Sequence, residues 1–452
     1  TGTNLISAVL LNCAEPTYAD EDGTFLNVYG SRDVGVVAAQ YDEFFMVDKD
    51  EKGNATPPRD YMKYKNAQSF LYFGTDPAGR DLREQGKIYH ETVDGKDAIR
   101  VIYNPAITHP WSHFSKRSTT ATIEFFDYTL GTPNPIAATT QIWQWKEFFN
   151  LLGLIGFAIF VVNFTLLMVF TPFFSPLRAK EVVAPREFLS GGKLWFWGSI
   201  LAGAIFGTVV FLPILRNVGS FTFFKSPWAQ SSPWGIGCWA AITGVFAIVG
   251  VLLSYSFNGK KNGLDLASIG IRLGMKNLGR TILLALIVVA VSFGWVFFAD
   301  YFFKSDFRFW VLAVKAFDSG KIFTAVFPYA VLFLIYYVAA SVAANSFNYN
   351  TLCVKNGKRM WINTAILAFF NALPPLVLLA IQYFNFFISG FMVWTDPGSM
   401  FIVWLIPVAV FLPAATIISR KIYRVTDNPY LGGIINGIIV TLVSCSNTLT
   451  WL

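Results

Sequence analysis

Eight long runs of apolar residues constrain this chain more than any other feature of its sequence. They lie in the segment 148–452, and few charged residues separate them. A helix needs roughly 20 apolar residues to cross a hydrocarbon layer about 30 Å thick. The runs are Phe148–Phe173, Leu194–Leu215, Trp234–Phe257, Thr281–Phe303, Ile322–Ser346, Ile362–Ile388, Met400–Ile418 and Tyr430–Leu452. The sequence therefore predicts a multi-span α-helical membrane protein whose partner is the lipid bilayer.

Positive residues in the loops between these runs predict the orientation of the spans. One alternate set of loops holds 15 Lys and Arg residues, whereas the other set holds 6. Because cytoplasmic loops carry an excess of Lys and Arg, the richer set is predicted to be cytoplasmic. Crossing back over the first span then places residues 1–147 outside the cell. We predict a multi-pass protein of the plasma membrane.

The net charge of the chain changes sign near residue 148. Residues 1–147 carry 14 Lys and Arg against 20 Asp and Glu, a net charge of −6. Residues 148–452 carry 21 against 8, a net charge of +13. The overall charge of +7 describes neither part, so we predict no nucleic-acid partner. The sequence predicts an extracytoplasmic domain at 1–147 and an eight-span domain at 148–452.

The outer segment has the pattern of an α/β domain. Three continuous apolar stretches predict strands buried on both faces. These strands are predicted at Ile6–Asn12, Val34–Ala39 and Ala98–Tyr103. Ser115–Leu130 predicts an amphipathic helix that ends at Gly131. The polar, turn-rich stretch Asp48–Asp97 predicts an insertion or loop region.

Acidic and histidine side chains follow two of these predicted strands. Asp42 and Glu43 come after the second strand, and His109 and His113 come after the third. Functional groups gather at the carboxyl ends of the strands in an open α/β sheet. A carboxylate after one strand and a histidine after the next form the second half of the chain order Ser…Asp/Glu…His. In such a pair, the carboxylate orients the imidazole that takes the proton of a serine nucleophile.

Three segments resemble the C-terminal part of an α/β-hydrolase domain of the kind fused to bacterial polytopic membrane proteins. They are AAQYDEFF at Ala38–Phe45, YNPAITHPWSHFS at Tyr103–Ser115 and IEFFDY at Ile123–Tyr128. The resemblance extends over less than a third of the chain. It implies a partial α/β-hydrolase-like sheet in the outer domain.

The same resemblance implies an activity and the residues that perform it. The expected protein is an extracytoplasmic serine hydrolase of the esterase, lipase or acyltransferase type. Its substrate would be an ester, amide or acyl compound of the envelope or exterior, including amphiphilic, lipid-like molecules. Asp42 is expected to be the acid, with Glu43 as second choice. His113 is expected to be the general base, with His109 as second choice.

The nucleophile of this expected hydrolase has no candidate in the outer segment. No serine of residues 1–147 lies in a G-x-S-x-G context. We expect the serine upstream of residue 1 or on a companion fragment, and the alternative is a domain that has lost catalysis. Thr1 as an N-terminal nucleophile is a third hypothesis. A rival of another class is a non-enzymatic transporter or receptor whose outer domain binds a ligand.

The sequence contains no pattern for a cofactor or a metal ion. Its four cysteines form no C-x-x-C pair, and it contains no H-E-x-x-H motif. We therefore predict neither a cofactor nor a metal site.

Polar and amphipathic residues in the membrane half leave further interpretations open. Amides occur within the predicted spans at Asn163, Asn371, Gln382 and Asn385. They predict either a cavity for a lipid or an uncharged substrate, or hydrogen bonds between helices. Leu266–Arg280 and Asp306–Asp318 have apolar residues at helical spacing, which predicts helices that either lie in the membrane interface or cap the bundle without touching lipid headgroups.

Overall fold

The computed structural model describes residues 6–47, 54–218, 231–355, 358–395 and 397–447, except the side chains of residues 324 and 325. The chain divides into two units. The first unit comprises Thr1–Trp145 and Ile381–Met400, and the second comprises Lys146–Ala380 and Phe401–Leu452. Ile381–Met400 thus belongs with the first unit, although the sequence analysis assigned it to the membrane half.

A four-stranded sheet forms the centre of the first unit. Its strands are β1 (Ala8–Asn12), β2 (Asp33–Val37), β3 (Tyr89–Val93) and β4 (Lys96–Tyr103). The order across the sheet is β1-β2-β4-β3. β1, β2 and β4 are parallel, whereas β3 is antiparallel to β4. The three parallel strands are those that the sequence predicts, with ends that differ by at most 2 residues.

Both faces of this sheet are covered by helices, which explains why its strands are continuously apolar. On one face, Val36 and Ile102 pack in a core with Phe70 of α1 (Lys65–Leu71). On the other face, Val101 packs against Phe125 of α2 (Lys116–Leu130). α2 ends where the sequence predicts. Asp48–Asp97, interpreted as an insertion or loop region, contains turns in its described part but also a 3-10 helix, α1 and β3.

A buried arginine on β4 holds the loop between β1 and β2. The Nη1 atom of Arg100 donates to the carbonyl oxygens of Arg32 at 2.5 Å and Ile99 at 2.8 Å. Its Nη2 atom donates to Asn27 Oδ1 and to the carbonyl oxygen of Gly30, both at 3.0 Å. Burial lowers the pKa of Arg100 to about 10, so the guanidinium remains charged at neutral pH. The loop conformation therefore depends on one side chain of the sheet.

The segment Ile381–Met400 is attached to the first unit by Arg59. The guanidinium donates to the carbonyl oxygens of Ile388 at 3.4 Å and Ser389 at 3.3 Å. These carbonyls lie at the end of a helix, where they have no partner within the helix. Gly390 follows with φ +83°, and a Cβ at this position would lie 2.7 Å from Pro57 Cβ. Glycine is required there both for the backbone angle and for the space.

Among the described residues, eight helices are long and apolar enough to cross a membrane, as the sequence predicts. They are α3 (Trp143–Met168), α4 (Gly192–Val218), α5 (Ser231–Ser254), α6 (Met275–Phe303), α7 (Phe327–Val342), α8 (Trp361–Ser389), α9 (Gly398–Val403) with α10 (Leu405–Thr426), and α11 (Pro429–Asn447). This is the organisation of a multi-pass membrane protein.

Helices α5, α7 and α11 pack closely because glycines line their contacts. A Cβ at Gly244 of α5 would lie 2.7 Å from the Cα of Tyr336, and one at Gly433 of α11 would lie 2.8 Å from the carbonyl oxygen of Tyr337. Small residues let helix backbones approach where lipid supplies no hydrophobic driving force between helices. In α11, 78 % of the span is buried, so it is an inner helix of the second unit.

A second buried arginine joins three segments of the second unit. Arg420 of α10 is 2 % exposed. Its Nε donates to Asn345 Oδ1 at 2.7 Å, and its Nη1 donates to Asn363 Oδ1 at 3.1 Å. The guanidinium lies 3.8 Å from the ring centroid of Tyr349. Neutral acceptors and an aromatic ring thus solvate this charge.

The two expected interface helices are wrong. In Leu266–Arg280, the part before Met275 forms turns, with Gly270 at φ +74°. In Asp306–Asp318, strands β5 (Phe307–Phe309) and β6 (Leu312–Val314) form a hairpin. Trp310 occupies its turn at φ +53°. The apolar residues there alternate closely enough to suit a strand as well as a helix.

We expect Arg100→Ala to lower the free energy of unfolding of the first unit by about 3 kcal/mol, because three acceptors outside β4 lose a donor. Pulse proteolysis of the full chain in increasing urea would measure this loss. Arg80→Ala is the matched control, since Arg80 is exposed, and its expected cost is below about 1 kcal/mol. Equal losses in the two variants would contradict the role given to Arg100.

Candidate active site

The candidate site lies where the chain leaves β2 and β4. The two segments continue side by side beyond the strands, since Gln40 N donates to the carbonyl oxygen of Pro105 and Tyr41 N donates to that of Ile107. A parallel bridge then joins Tyr41 to Thr108. Asp42 and His109 are the next residues of the two segments. The continued pairing therefore brings their side chains together.

Asp42 and His109 form a buried acid–imidazole pair. The distance between His109 Nδ1 and Asp42 Oδ2 is 2.9 Å. The Asp42 side chain is 0 % exposed, whereas that of His109 is 27 % exposed. The other carboxylate oxygen, Oδ1, accepts from the backbone N–H groups of Phe44 at 2.8 Å and Phe45 at 2.7 Å. With Nδ1 on the carboxylate, Nε2 is left as the ring nitrogen that can exchange a proton.

The Asp42 carboxylate alters the basicity of His109. Burial by itself would lower the pKa of His109, but the hydrogen bond that the ring donates to Asp42 and the negative charges of Asp42 and Glu43 outweigh burial and raise the pKa above 6.5. This is the arrangement in which a carboxylate stabilises the imidazolium that forms during acid–base catalysis.

Glu43 supports the backbone of His109 and not its ring. Glu43 Oε2 accepts from His109 N at 2.8 Å, and Oε1 accepts from the hydroxyl of Tyr383 at 2.7 Å. Burial raises the pKa of Glu43 to about 7, despite both hydrogen bonds. Glu43 is thus a positioning residue, which differs from the alternative acid that the sequence predicts.

The histidine that contacts Asp42 is His109, the second choice as base, and not His113. His113, the first choice as base, is exposed, and its Nδ1 accepts from Asn12 Nδ2 at 3.2 Å. Within the described residues, the hydrogen bond to Asp42 is made by His109 instead. Both histidines lie in a 3-10 helix, His109–Phe114. At three residues per turn, side chains four apart point in directions about 120° apart, so only one can face Asp42.

Cys13 lies next to this pair but is a poor nucleophile. Its Sγ, a ring nitrogen of His109 and a carboxylate oxygen of Asp42 lie within 4.8 Å of one another. Burial and, after it, the charge of Asp42 raise the pKa of Cys13 to about 12. Only the thiolate attacks carbonyl carbon or binds metal well. The thiol form favoured here therefore argues against a cysteine nucleophile at this position.

Aromatic side chains surround the exposed side of His109. Its ring centroid lies 5.1 Å from that of Phe44 and 5.4 Å from that of Phe45. Phe45 is 46 % exposed, and Trp111 in the same 3-10 helix is 38 % exposed. The surface next to the candidate base is thus apolar as well as accessible.

Three residues of this site were missed by the sequence analysis. Asn12 ends β1 and Cys13 follows it, and a count of residues at the carboxyl end of that strand could have found them. Tyr383 is 340 positions from Glu43, and its sequence context contains no signal for this contact. Thr1, the other candidate nucleophile, lies outside the described residues.

We expect His109 to titrate above 6.5, and Asp42→Asn to lower its pKa, because the variant removes the carboxylate that stabilises the imidazolium. NMR titration of ¹³C-labelled histidines in the full chain measures this. The chain has only 3 histidines, so His→Ala variants assign the signals. An unchanged His109 pKa in Asp42→Asn would contradict the pairing.

We expect the first unit to lose stability as pH rises from about 4.5 to 7. In this window Glu43 is protonated in the folded chain and ionised in the unfolded chain, so the folded state binds more protons. The loss is about 3 kcal/mol for this group. Thermal unfolding of wild type and Glu43→Gln across this pH range is the measurement. If Glu43→Gln lost as much stability as wild type over this pH range, Glu43 would be excluded as the source of the loss.

No family model, curated protein or solved structure matches this chain.

Proposed function

We propose that the first unit is a serine hydrolase domain in which Asp42 and His109 are the acid and the base. The observation that carries the proposal is the 2.9 Å contact between His109 Nδ1 and the buried Asp42 carboxylate. The pair follows two adjacent parallel strands, where α/β folds concentrate functional groups. The expected reaction is hydrolysis or acyl transfer of an ester, amide or acyl substrate.

Each residue of the pair has a defined role in this reaction. His109 Nε2 takes the proton of the serine hydroxyl as that oxygen attacks the carbonyl carbon, and later gives it to the leaving group. Asp42 holds the Nδ1–H tautomer and stabilises the imidazolium. Glu43 accepts from the backbone N–H of His109 and so holds the segment that carries the ring next to Asp42.

The serine is proposed to come from a segment preceding residue 1 or from a companion polypeptide. β1 has one strand partner, β2, within the part of the chain that the structure describes, so its other edge has no strand beside it. β1 is only half-buried, although its residues are mainly apolar. A further parallel strand along this edge would bring its own carboxyl end next to Cys13 and the acid–base pair.

The substrate class follows from the surroundings of His109. The exposed rings of Phe45 and Trp111 favour an apolar acyl group over a charged one. We therefore propose an amphiphilic, lipid-like substrate. The proposed location is the plasma membrane, with residues 1–147 on the extracytoplasmic side, because the loop charges favour that orientation.

Fluorophosphonate labelling of the protein purified from its native membrane tests this proposal. We expect one labelled serine outside residues 1–147, located by mass spectrometry. We expect Asp42→Asn and His109→Ala to slow labelling at least about 100-fold, because both remove the activation of the nucleophile. Short and long alkyl phosphonates would measure the preference for an apolar group.

Two other histidines serve as comparisons in this experiment. His90 Nδ1 lies 2.9 Å from Asp97 Oδ2, but both side chains are exposed, so His90→Ala is expected to label normally. Loss of labelling in His113→Ala but not in His109→Ala would assign the base to His113. No labelled serine in a folded, intact preparation would favour a transporter or receptor instead.

A further inference from the structure

A cavity of about 510 Å³ lies inside the second unit, among α4, α5, α7, α8 and α10. Its volume is in the range of small-molecule sites. Of the described residues that line it, none carries a charge. Leu194, Phe246, Leu367 and Phe370 contribute to its apolar walls. No lining side chain could pair with an ionic group inside the cavity, and an unpaired ion buried in apolar surroundings is strongly disfavoured.

Glycines of two helices create this space. Gly203 of α4 and Gly250 of α5 both line the cavity, and a Cβ at either position would meet no atom within 4 Å. Glycine at these positions is therefore not required by close helix contact, in contrast to Gly244. Larger side chains would project into open space and fill it.

Three polar side chains that are hydrogen-bonded to one another lie on the cavity wall. The hydroxyl of Tyr336 donates to Asn371 Oδ1 at 2.5 Å, and Asn371 Nδ2 donates to Thr416 Oγ1 at 3.0 Å. Tyr336, Asn371 and Thr416 all line the cavity. Tyr336 lies near the middle of the span Phe327–Phe347. This group is thus at a depth where water is absent from a bilayer.

The hydrogens of this group are all used within the protein. Asn371 Nδ2 also donates to the carbonyl oxygen of Leu412 at 3.3 Å, and Thr416 Oγ1 donates to the same oxygen at 3.0 Å. What remains towards the cavity is acceptor capacity on the Tyr336, Asn371 and Thr416 oxygens. This group can therefore accept a hydrogen bond from a ligand but has no hydrogen left to donate to a carboxylate or phosphate.

Asn371 differs in this respect from three other amides in the predicted spans. Asn163 Nδ2 donates to the carbonyl oxygen of Ile159 in its own helix. Gln382 and Asn385 donate to the carbonyl oxygens of Trp394 and Phe391. Those three amides satisfy nearby backbone, whereas Asn371 joins three helices at the wall of a cavity.

We propose that this cavity binds an uncharged lipid with a long hydrocarbon chain and one hydroxyl group. The apolar walls contact the chain, and the Tyr336–Asn371–Thr416 group accepts the hydroxyl hydrogen. Ser254 ends α5 and Asn348 follows the span Phe327–Phe347, and both line the cavity, which therefore reaches the depth of a span end. A lipid can enter there from the bilayer. This inference does not depend on the hydrolase proposal.

Photolabelling of the full chain in nanodiscs tests the proposal. The probes are a long-chain alcohol with a diazirine in its chain, and the fatty acid with the same chain and diazirine. We expect the alcohol to label cavity residues on α4, α5 or α8, with competition by unlabelled alcohol. The ionised fatty acid is expected to label them at least about tenfold less, since its charge would be buried without a partner.

Cavity-filling variants provide the second arm of the test. Gly203→Phe and Gly250→Leu are expected to reduce labelling by the alcohol at least about fivefold, because each removes volume from a different helix. Gly294→Leu on α6 is the matched control, since Gly294 also faces open space but does not line the cavity. Size-exclusion chromatography checks that each variant is folded.

Three results would overturn the proposal. Equal labelling by alcohol and fatty acid would exclude selection for a neutral hydroxyl. Undiminished labelling in both folded glycine variants would place the probe outside the cavity, as would labelled peptides from α3 or α6 alone.

Discussion

The arrangement of the first unit depends on how one buried carboxylate is satisfied. Asp42 has no exposed surface, so each of its oxygens must find donors inside the protein. Oδ1 takes the two backbone N–H groups of Phe44 and Phe45, which fixes the turn after β2. Oδ2 takes the imidazole of His109, which fixes the segment after β4. Because both segments are bound to one side chain, the same carboxylate positions the turn, the aromatic rings and the proton-accepting nitrogen. Glu43 adds a second contact to the same segment through the backbone of His109.

Parts of this site could be predicted from the sequence because parallel strands buried on both faces are continuously apolar. Continuous apolar stretches located β1, β2 and β4, and the residues after them identified Asp42 and both histidines. The contact of Asp42 with His109 and not with His113 has a physical reason. The chain continues to pair beyond the strands as far as Tyr41 and Thr108, so the residue opposite Asp42 is the next one, His109. A count of the register from Val34 and Arg100 onwards would have favoured it. The helix type of the HPWSHF segment, which separates the two rings, has no equally clear sequence signal.

In the second unit, hydropathy predicted the spans but not what they enclose. Length and apolar composition suffice to find eight helices, because the thickness of the bilayer sets both. The cavity depends on which faces of α4 and α5 carry Gly203 and Gly250, and on the approach of Tyr336 to Asn371 from another helix. These features depend on tertiary packing, which produces no periodic pattern in the sequence. The hairpin of β5 and β6 was missed because the spacing of apolar residues in this short segment fits a helix as well as a strand.

The contact between Glu43 and Tyr383 has a consequence for the biosynthesis of the protein. The two residues are 340 positions apart, yet they belong to the same unit. Arg59 likewise binds the end of α8, at Ile388 and Ser389. The sheet and its helices are made first by the ribosome, but their last contacts must wait until six of the eight spans have been synthesised. The first unit therefore cannot complete its structure during its own translation, although domains often fold in order from the N-terminus. Its final folding step follows insertion of the α8 segment, so a chain that stalls before that point carries an acid–base pair whose supporting glutamate lacks its partner.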